Sequence, residues 1–178
     1  ELRCSLKQSA RGRSQRSSGN APQGSTSVLL TKPRIEVVKN QDAGAAIAAD
    51  LIQKALATST SPVLGVATGA TPQPVYRELA KRRQQNSVSF ENVRASALDE
   101  YVGLPARSDA SYRAFLEQQF ALPVGMPLGA LDVPDGAAPD LSAECSRYES
   151  AILNAGGVDV RHTGHGDHRL SLRPYAHR

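Results

Sequence analysis

Two stretches of the chain each run from a short apolar segment directly into a polar turn. The first reads Leu-Gly-Val-Ala-Thr-Gly-Ala-Thr-Pro over residues 64–72, and the second reads Ser-Ala-Leu-Asp-Glu-Tyr-Val-Gly-Leu-Pro over residues 96–105. A short continuous apolar run is typical of a strand that is covered on both faces. In an open parallel sheet, the turns after such strands meet at the carboxyl edge, where small ligands bind. The two stretches therefore predict a ligand site at that edge.

The first turn is suited to binding an anion. It consists of Thr68, Gly69, Ala70 and Thr71. Pro72 then fits the first turn of a helix, where its missing N–H costs nothing. A helix N-terminus favours anions, a glycine lets the backbone approach a phosphate closely, and the threonines donate hydroxyl hydrogen bonds. Considered alone, the same pattern also fits a plain strand-to-helix connection.

The second turn supplies two adjacent carboxylates, Asp99 and Glu100. On a strand-like backbone, neighbouring side chains point to opposite faces, so one carboxylate can enter a cleft while the other braces the loop. We expect Glu100 to be the brace. Together with the first turn, this arrangement suits a phosphorylated substrate that must give up a proton.

Apolar periodicity predicts alternating strands and helices from residue 33 to residue 160. Strands are expected at residues 34–38, 63–67, 92–98 and 158–160, and helices at 43–56, 72–84, 109–121 and 140–155. Asp42 and Asp140 fit the N-cap positions of the first and last helix. This order predicts an α/β domain with three α/β/α layers and a mainly parallel, Rossmann-like sheet.

Charge is unevenly distributed along the 178 residues. Residues 1–34 carry a net charge of +6 and residues 161–178 carry +3, whereas residues 35–160 carry −5. Residues 1–32 have no apolar periodicity and are expected to form a disordered basic arm. No aromatic residue interleaves with the arginines of that arm, so a nucleic-acid partner is not expected. The sequence has no run of about 20 apolar residues, so a membrane partner is not expected either.

Between about residues 34 and 160, the sequence resembles the glucosamine-6-phosphate deaminase family. That family typically reads L-G-L-A-T-G-S-T-P and then L-D-E-Y-V-G-L-P, and the second block is the more specific part. The likeness extends through Ser111 and Tyr112 and through residues 138–149. Ala70 stands where the family usually has serine, which removes one hydroxyl donor.

The resemblance implies an enzyme that converts glucosamine 6-phosphate into fructose 6-phosphate and ammonia without an organic cofactor. It implies that Asp99 moves the substrate proton and that Asp167 and His168 open the sugar ring. Thr68, Gly69, Ala70, Thr71 and Glu100 are implied as the substrate-binding residues. The implied partner is a small-molecule sugar phosphate, and the implied setting is a cytoplasmic enzyme of amino-sugar catabolism that can form a homo-oligomer.

The resemblance stops after residue 160. Gly164, Gly166, Asp167 and His168 echo the family's G-x-G-x-D-G-H, but two residues are missing between them, and the following N-E-P is absent. Residues 161–178 are therefore expected to be a divergent basic tail, with the C-terminal part of the fold missing. We expect weak or no deaminase activity, and we expect residues 158–160 to form an unpaired edge strand.

Three alternatives remain open at this point. One is a hydrolase similar to the 6-phosphogluconolactonases, although that family tends to carry D-E-R where this chain has Tyr101 after Asp-Glu. Another is a non-catalytic fragment that binds a sugar phosphate weakly. The least favoured is a metal site formed by His162, His165 and His168, whose spacing is compatible with zinc.

Overall fold

The computed structural model of the chain describes residues 35–105, 108–165 and 169–174. The predicted arm at 1–32, the predicted ring-opening residues Asp167 and His168, and Gly166 lie outside these ranges. Val38 and the described residues after it belong to one compact unit, and residues 35–37 belong to a second.

Five strands of the described chain form one sheet in the order β3-β2-β1-β4-β5. They are β1 (Val63–Val66), β2 (Arg94–Ala97), β3 (Leu131–Asp132), β4 (Val160–His165) and β5 (Arg169–Pro174). β1 pairs in parallel with β2 and β4, and β2 pairs in parallel with β3. Only the β4–β5 pair is antiparallel. The predicted α/β fold with a mainly parallel sheet is confirmed.

The helices cover both faces of this sheet. They are α1 (Gln41–Ala57), α2 (Gln73–Gln84), α3 (Tyr112–Leu116), α4 (Leu122–Val124) and α5 (Leu141–Asn154). A π-helical turn at Glu117–Ala121 joins α3 to α4, and a 3-10 turn at Leu128–Ala130 precedes β3.

Burial along β1 shows the three layers directly. Leu64 and Val66 pack into a large apolar core with residues of α1 and α2. Val63 instead packs into a smaller cluster with Tyr148 and Ile152 of α5. Because successive strand residues point to opposite faces, α1 and α2 lie on one side of the sheet and α5 on the other. All four residues of β1 are buried, as the continuous apolar run predicted.

Two local predictions were wrong. Residues 35–38 do not form a strand, and Ile35 and Val37 are 85% and 96% exposed. Alternation of apolar residues does not by itself form a strand, because a strand is stable only when it pairs with neighbouring strands. The N-cap of α1 is Asn40 rather than Asp42, since the Asn40 side chain accepts a hydrogen bond of 2.9 Å from the amide of Ala43.

The expectation of an unpaired edge after residue 158 was also wrong. β4 begins at Val160 and continues to His165, across the predicted boundary between domain and tail. It lies between β1 and β5, so both of its edges have strand partners. The antiparallel β5 was not expected, because residues 161–178 were interpreted as a divergent tail, although Leu170 and Leu172 alternate with polar residues after the glycines at 164 and 166.

His162 of β4 is buried in the core on the α2 side of the sheet. It has no solvent exposure, and its ring meets the ring of Tyr76 edge to face at 5.7 Å between centroids. Neither ring nitrogen has a hydrogen-bond partner in the described part of the chain. Burial disfavours the imidazolium and lowers the pKa of His162 from 6.5 to about 4.

We therefore expect the free energy of unfolding to fall as the pH is lowered from 6.5 towards 4. In that window the unfolded chain binds the His162 proton and the folded chain does not, so protons favour unfolding. The expected loss between pH 8 and pH 5 is about 2 kcal/mol from this group. Urea unfolding of the parent and of His162→Leu at both pH values measures it. Equal pH dependence in the two proteins would show that His162 is not the responsible group.

Candidate functional site

The two polar turns meet at the carboxyl edge of the sheet, as predicted. In the register of β1 and β2, Val66 pairs with Ala97. Thr68 and Asp99 each follow this last pair by two residues, so both turns begin at the same edge of the sheet. The strand order reverses between β1 and β4, and in open α/β sheets such a reversal opens the crevice in which ligands bind. The turn after β1 therefore lies at the reversal point.

We call residues 68–71 the anion loop. Gly69 adopts a φ of +96°, a conformation that favours glycine, and it is exposed together with Ala70. Thr68 and Thr71 are half-buried. Pro72 is the N-cap of α2, so the helix begins at Gln73, one residue later than predicted. The amide of Gln73 donates to the carbonyl of Ala70 at 3.3 Å. The loop thus presents exposed backbone at the start of a twelve-residue helix.

The two carboxylates after β2 are in different environments. Glu100 is 5% exposed, and its Oε1 accepts from the amides of Tyr101 and Tyr112 at 2.8 Å each. Its Oε2 accepts from the amide of Arg113 at 3.0 Å. Glu100 therefore fixes the start of α3 to the turn after β2, and its predicted role as a brace is confirmed.

Asp99 is half-buried and precedes this brace. Because Glu100 is committed to three backbone amides, Asp99 is the member of the pair that remains the candidate for chemistry on a ligand. Both the catalytic assignment of Asp99 and the substrate-binding assignments of Glu100 and the anion loop stay predictions.

A cleft of about 540 Å³ opens on the β3 side of Glu100. Its charged lining comes from Glu100, Arg113, Asp132, Asp135, Glu144 and Arg147. Among the residues of the described chain that line it, neither Asp99 nor any residue of the anion loop is found. The cleft and the anion loop are thus separate features on either side of the second turn.

An ion-pair cluster that the sequence did not reveal forms one wall of this cleft. Arg147 donates to both carboxylate oxygens of Glu144 at 2.7 Å and reaches Asp132 at 3.4 Å. The hydrogen bonds from Arg147 lower the pKa of Glu144, so this carboxylate stays charged. The Glu144–Arg147 spacing on a helix is a detectable signal. Asp132 gave no such signal, because it lies between the helices predicted at 109–121 and 140–155.

The remaining predicted residues are not brought into this site by the described structure. Gly164 lies in β4, whereas Gly166, Asp167 and His168 fall outside the described residues.

Within residues 35–105, 108–165 and 169–174, no group of three or more His, Cys, Asp or Glu residues could hold a metal ion. No helix in the same ranges is long and apolar enough to cross a membrane.

Three known proteins similar to this chain are named glucosamine-6-phosphate deaminase. Glucosamine-6-phosphate deaminase of Beutenbergia cavernae is 48% identical over 134 residues, which cover 74% of this chain and 51% of the relative. The enzyme of Cutibacterium acnes is 43% identical over 130 residues, with 73% and 50% covered. That of Alkaliphilus oremlandii is 32% identical over 151 residues, with 79% and 63% covered. The chain thus spans about half the length of the first two relatives. No family model matches it.

Solved structures give the same picture. A monomeric glucosamine-6-phosphate deaminase of the NagB superfamily superposes with a TM-score of 0.65 at 33% identity, covering 68% of this chain and 51% of that one. A 6-phosphogluconolactonase from Thermotoga maritima superposes with a TM-score of 0.58 at 20% identity, covering 74% and 58%. The second likeness shows a shared fold only.

The bracing role of Glu100 makes a quantitative prediction. Glu100→Ala leaves three backbone amides without their acceptor, and we expect the free energy of unfolding to drop by about 3 kcal/mol. Glu117→Ala is the matched control, because Glu117 makes only a 3.7 Å ion pair with the half-exposed Arg113. In Glu117→Ala the free energy of unfolding should drop by less than about 1 kcal/mol. Urea unfolding measures both, and equal losses would contradict the assignment.

Proposed function

We propose, on the premise that the chain belongs with the glucosamine-6-phosphate deaminases over its matched length, that it carries the sugar-phosphate site of such an enzyme. The proposal is supported by the β1–β2 register, in which Val66 pairs with Ala97, so that the turns carrying residues 68–71 and Asp99 both follow the same edge of the sheet. The proposed reaction converts glucosamine 6-phosphate and water into fructose 6-phosphate and ammonia. No organic cofactor is required for it.

The two turns take different parts of this reaction. The anion loop binds the phosphorylated sugar through backbone N–H groups and the hydroxyls of Thr68 and Thr71. Asp99 removes the proton from C2 of the opened sugar and returns it at C1. This transfer requires the carboxylate to lie within about 3 Å of the proton in the complex. Glu100 keeps the turn rigid, so that Asp99 is presented in one position.

Ring opening is assigned to Asp167 and His168 by the same resemblance. The shortened motif around them leads us to expect weak or no turnover, because a displacement of about 1 Å in an active site costs roughly a hundredfold in rate. Binding of the sugar phosphate requires only the anion loop and its surroundings. We therefore expect binding to survive even where turnover is low.

The lactonase alternative has less support. The lactonase structure resembles the chain at 20% identity, whereas relatives named as deaminases match at 32% to 48%. Tyr101 also stands where the lactonases tend to carry arginine. A cytoplasmic location and a homo-oligomer fit the deaminase assignment and stay predictions.

The role of Asp99 is tested by ammonia release from glucosamine 6-phosphate. We expect Asp99→Asn to lower the rate of the parent chain by at least about 100-fold, because proton transfer by a positioned base contributes that much. Asp109→Asn, in an exposed turn, is the control and keeps the parent rate. A fully active Asp99→Asn protein would exclude the proposed base. Hydrolysis of 6-phosphogluconolactone that exceeds ammonia release would favour the lactonase alternative instead.

A further inference from the structure

Tyr76 of α2 makes two hydrogen bonds to the residue that precedes the anion loop. Its hydroxyl donates to the carbonyl of Ala67 at 2.6 Å and accepts from the amide of Ala67 at 3.1 Å. Ala67 follows the last residue of β1, and it is 6% exposed. One hydroxyl thus satisfies both backbone groups of a buried residue at the point where the chain leaves the sheet.

The same residue also fixes the other end of the loop. The backbone amide of Tyr76 donates to the carbonyl of Pro72 at 3.1 Å, in the first turn of α2. The anion loop is therefore enclosed between two attachments to Tyr76, one through the hydroxyl at Ala67 and one through the amide at Pro72. This arrangement restricts the loop without occupying its exposed face.

The Tyr76 ring is held in place by its neighbours. It is 1% exposed and packs on Phe120 at 4.9 Å and on His162 at 5.7 Å between ring centroids. Burial raises the pKa of Tyr76 well above its usual range, so the hydroxyl stays protonated and can donate and accept at once. Phenylalanine would fill almost the same volume, so core packing alone does not account for the hydroxyl.

We propose that Tyr76 is a positioning residue for sugar-phosphate binding, which fixes the backbone of the anion loop in its binding conformation through Ala67. It does not itself touch the ligand. The inference rests on the proposed function for the identity of the ligand, but the effect of Tyr76 on the loop can be measured without any ligand. A rigid loop binds more tightly because less conformational entropy is lost on binding.

The test compares the parent chain with Tyr76→Phe by NMR. In the parent, we expect backbone order parameters of about 0.85 for Gly69 and Ala70, and in Tyr76→Phe we expect them to fall below about 0.6. Tyr148→Phe is the matched control, because the buried Tyr148 hydroxyl bonds the carbonyl of Ala97 in β2 at 2.5 Å. It removes the hydrogen bond of another buried tyrosine hydroxyl but leaves the loop ordered. Both variants keep the ring, and the amide spectrum of α1 reports that they are folded.

Titration with inorganic phosphate separates this inference from the proposed function. The expected result is a dissociation constant about tenfold higher in Tyr76→Phe than in the parent or in Tyr148→Phe. Unchanged order parameters of Gly69 and Ala70 in Tyr76→Phe would overturn the positioning role, whatever the phosphate affinity. Lowered order parameters in a chain whose parent binds no phosphate would support the positioning role and count against the proposed function.

Discussion

The parallel pairing of β1 with β2 is the interaction on which the rest of the structure depends. Its register places Val66 opposite Ala97, so the turns that carry Thr68 and Asp99 both leave the sheet at the same edge. A shift of one residue would turn Leu64 and Val66 away from the core that α1 and α2 cover. Burial of β1 thus determines the register, and the register determines where the turns after β1 and β2 leave the sheet.

Side-chain acceptors and donors that satisfy backbone groups then hold the site in shape. Glu100 accepts three amide hydrogen bonds around the second turn, and Tyr76 satisfies both groups of Ala67 before the first. Burying the carboxylate of Glu100 is costly, and the three charge-assisted hydrogen bonds offset that cost. A carboxylate that accepts from three amides is not available to act as a base, so Glu100 has a structural role in the turn.

The sequence predicted the parts of the structure that depend on local patterns. The buried run of β1, the α5 N-cap at Asp140 and the meeting of the two turns all follow from apolar periodicity and capping chemistry. The Asn40 cap of α1 was missed because Asn40 and Asp42 are both good capping residues two positions apart. β3 has only two residues, which is too short for any periodicity to indicate.

Long-range contacts could not be derived in the same way. The bond from Tyr76 to Ala67 and the ion pair between Asp132 and Arg147 each join different elements through tertiary packing. His162 shows the limit most clearly. Its sequence neighbourhood suggested a metal ligand, whereas the fold buries it against Tyr76 with no hydrogen-bond partner in the described chain. Which strand face a residue takes is decided by pairing, and the sequence around His162 does not specify that pairing.

The central claim is that the carboxyl edge of β1 and β2 binds the sugar phosphate. Titration of the ¹⁵N-labelled chain with glucosamine 6-phosphate tests it most directly, because each amide reports its own surroundings. We expect the largest shift changes at residues 68–71 and 99–101, with smaller changes in the cleft lined by Arg113 and Arg147. Shift changes confined to that cleft, or no saturable change at residues 68–71, would contradict the claim.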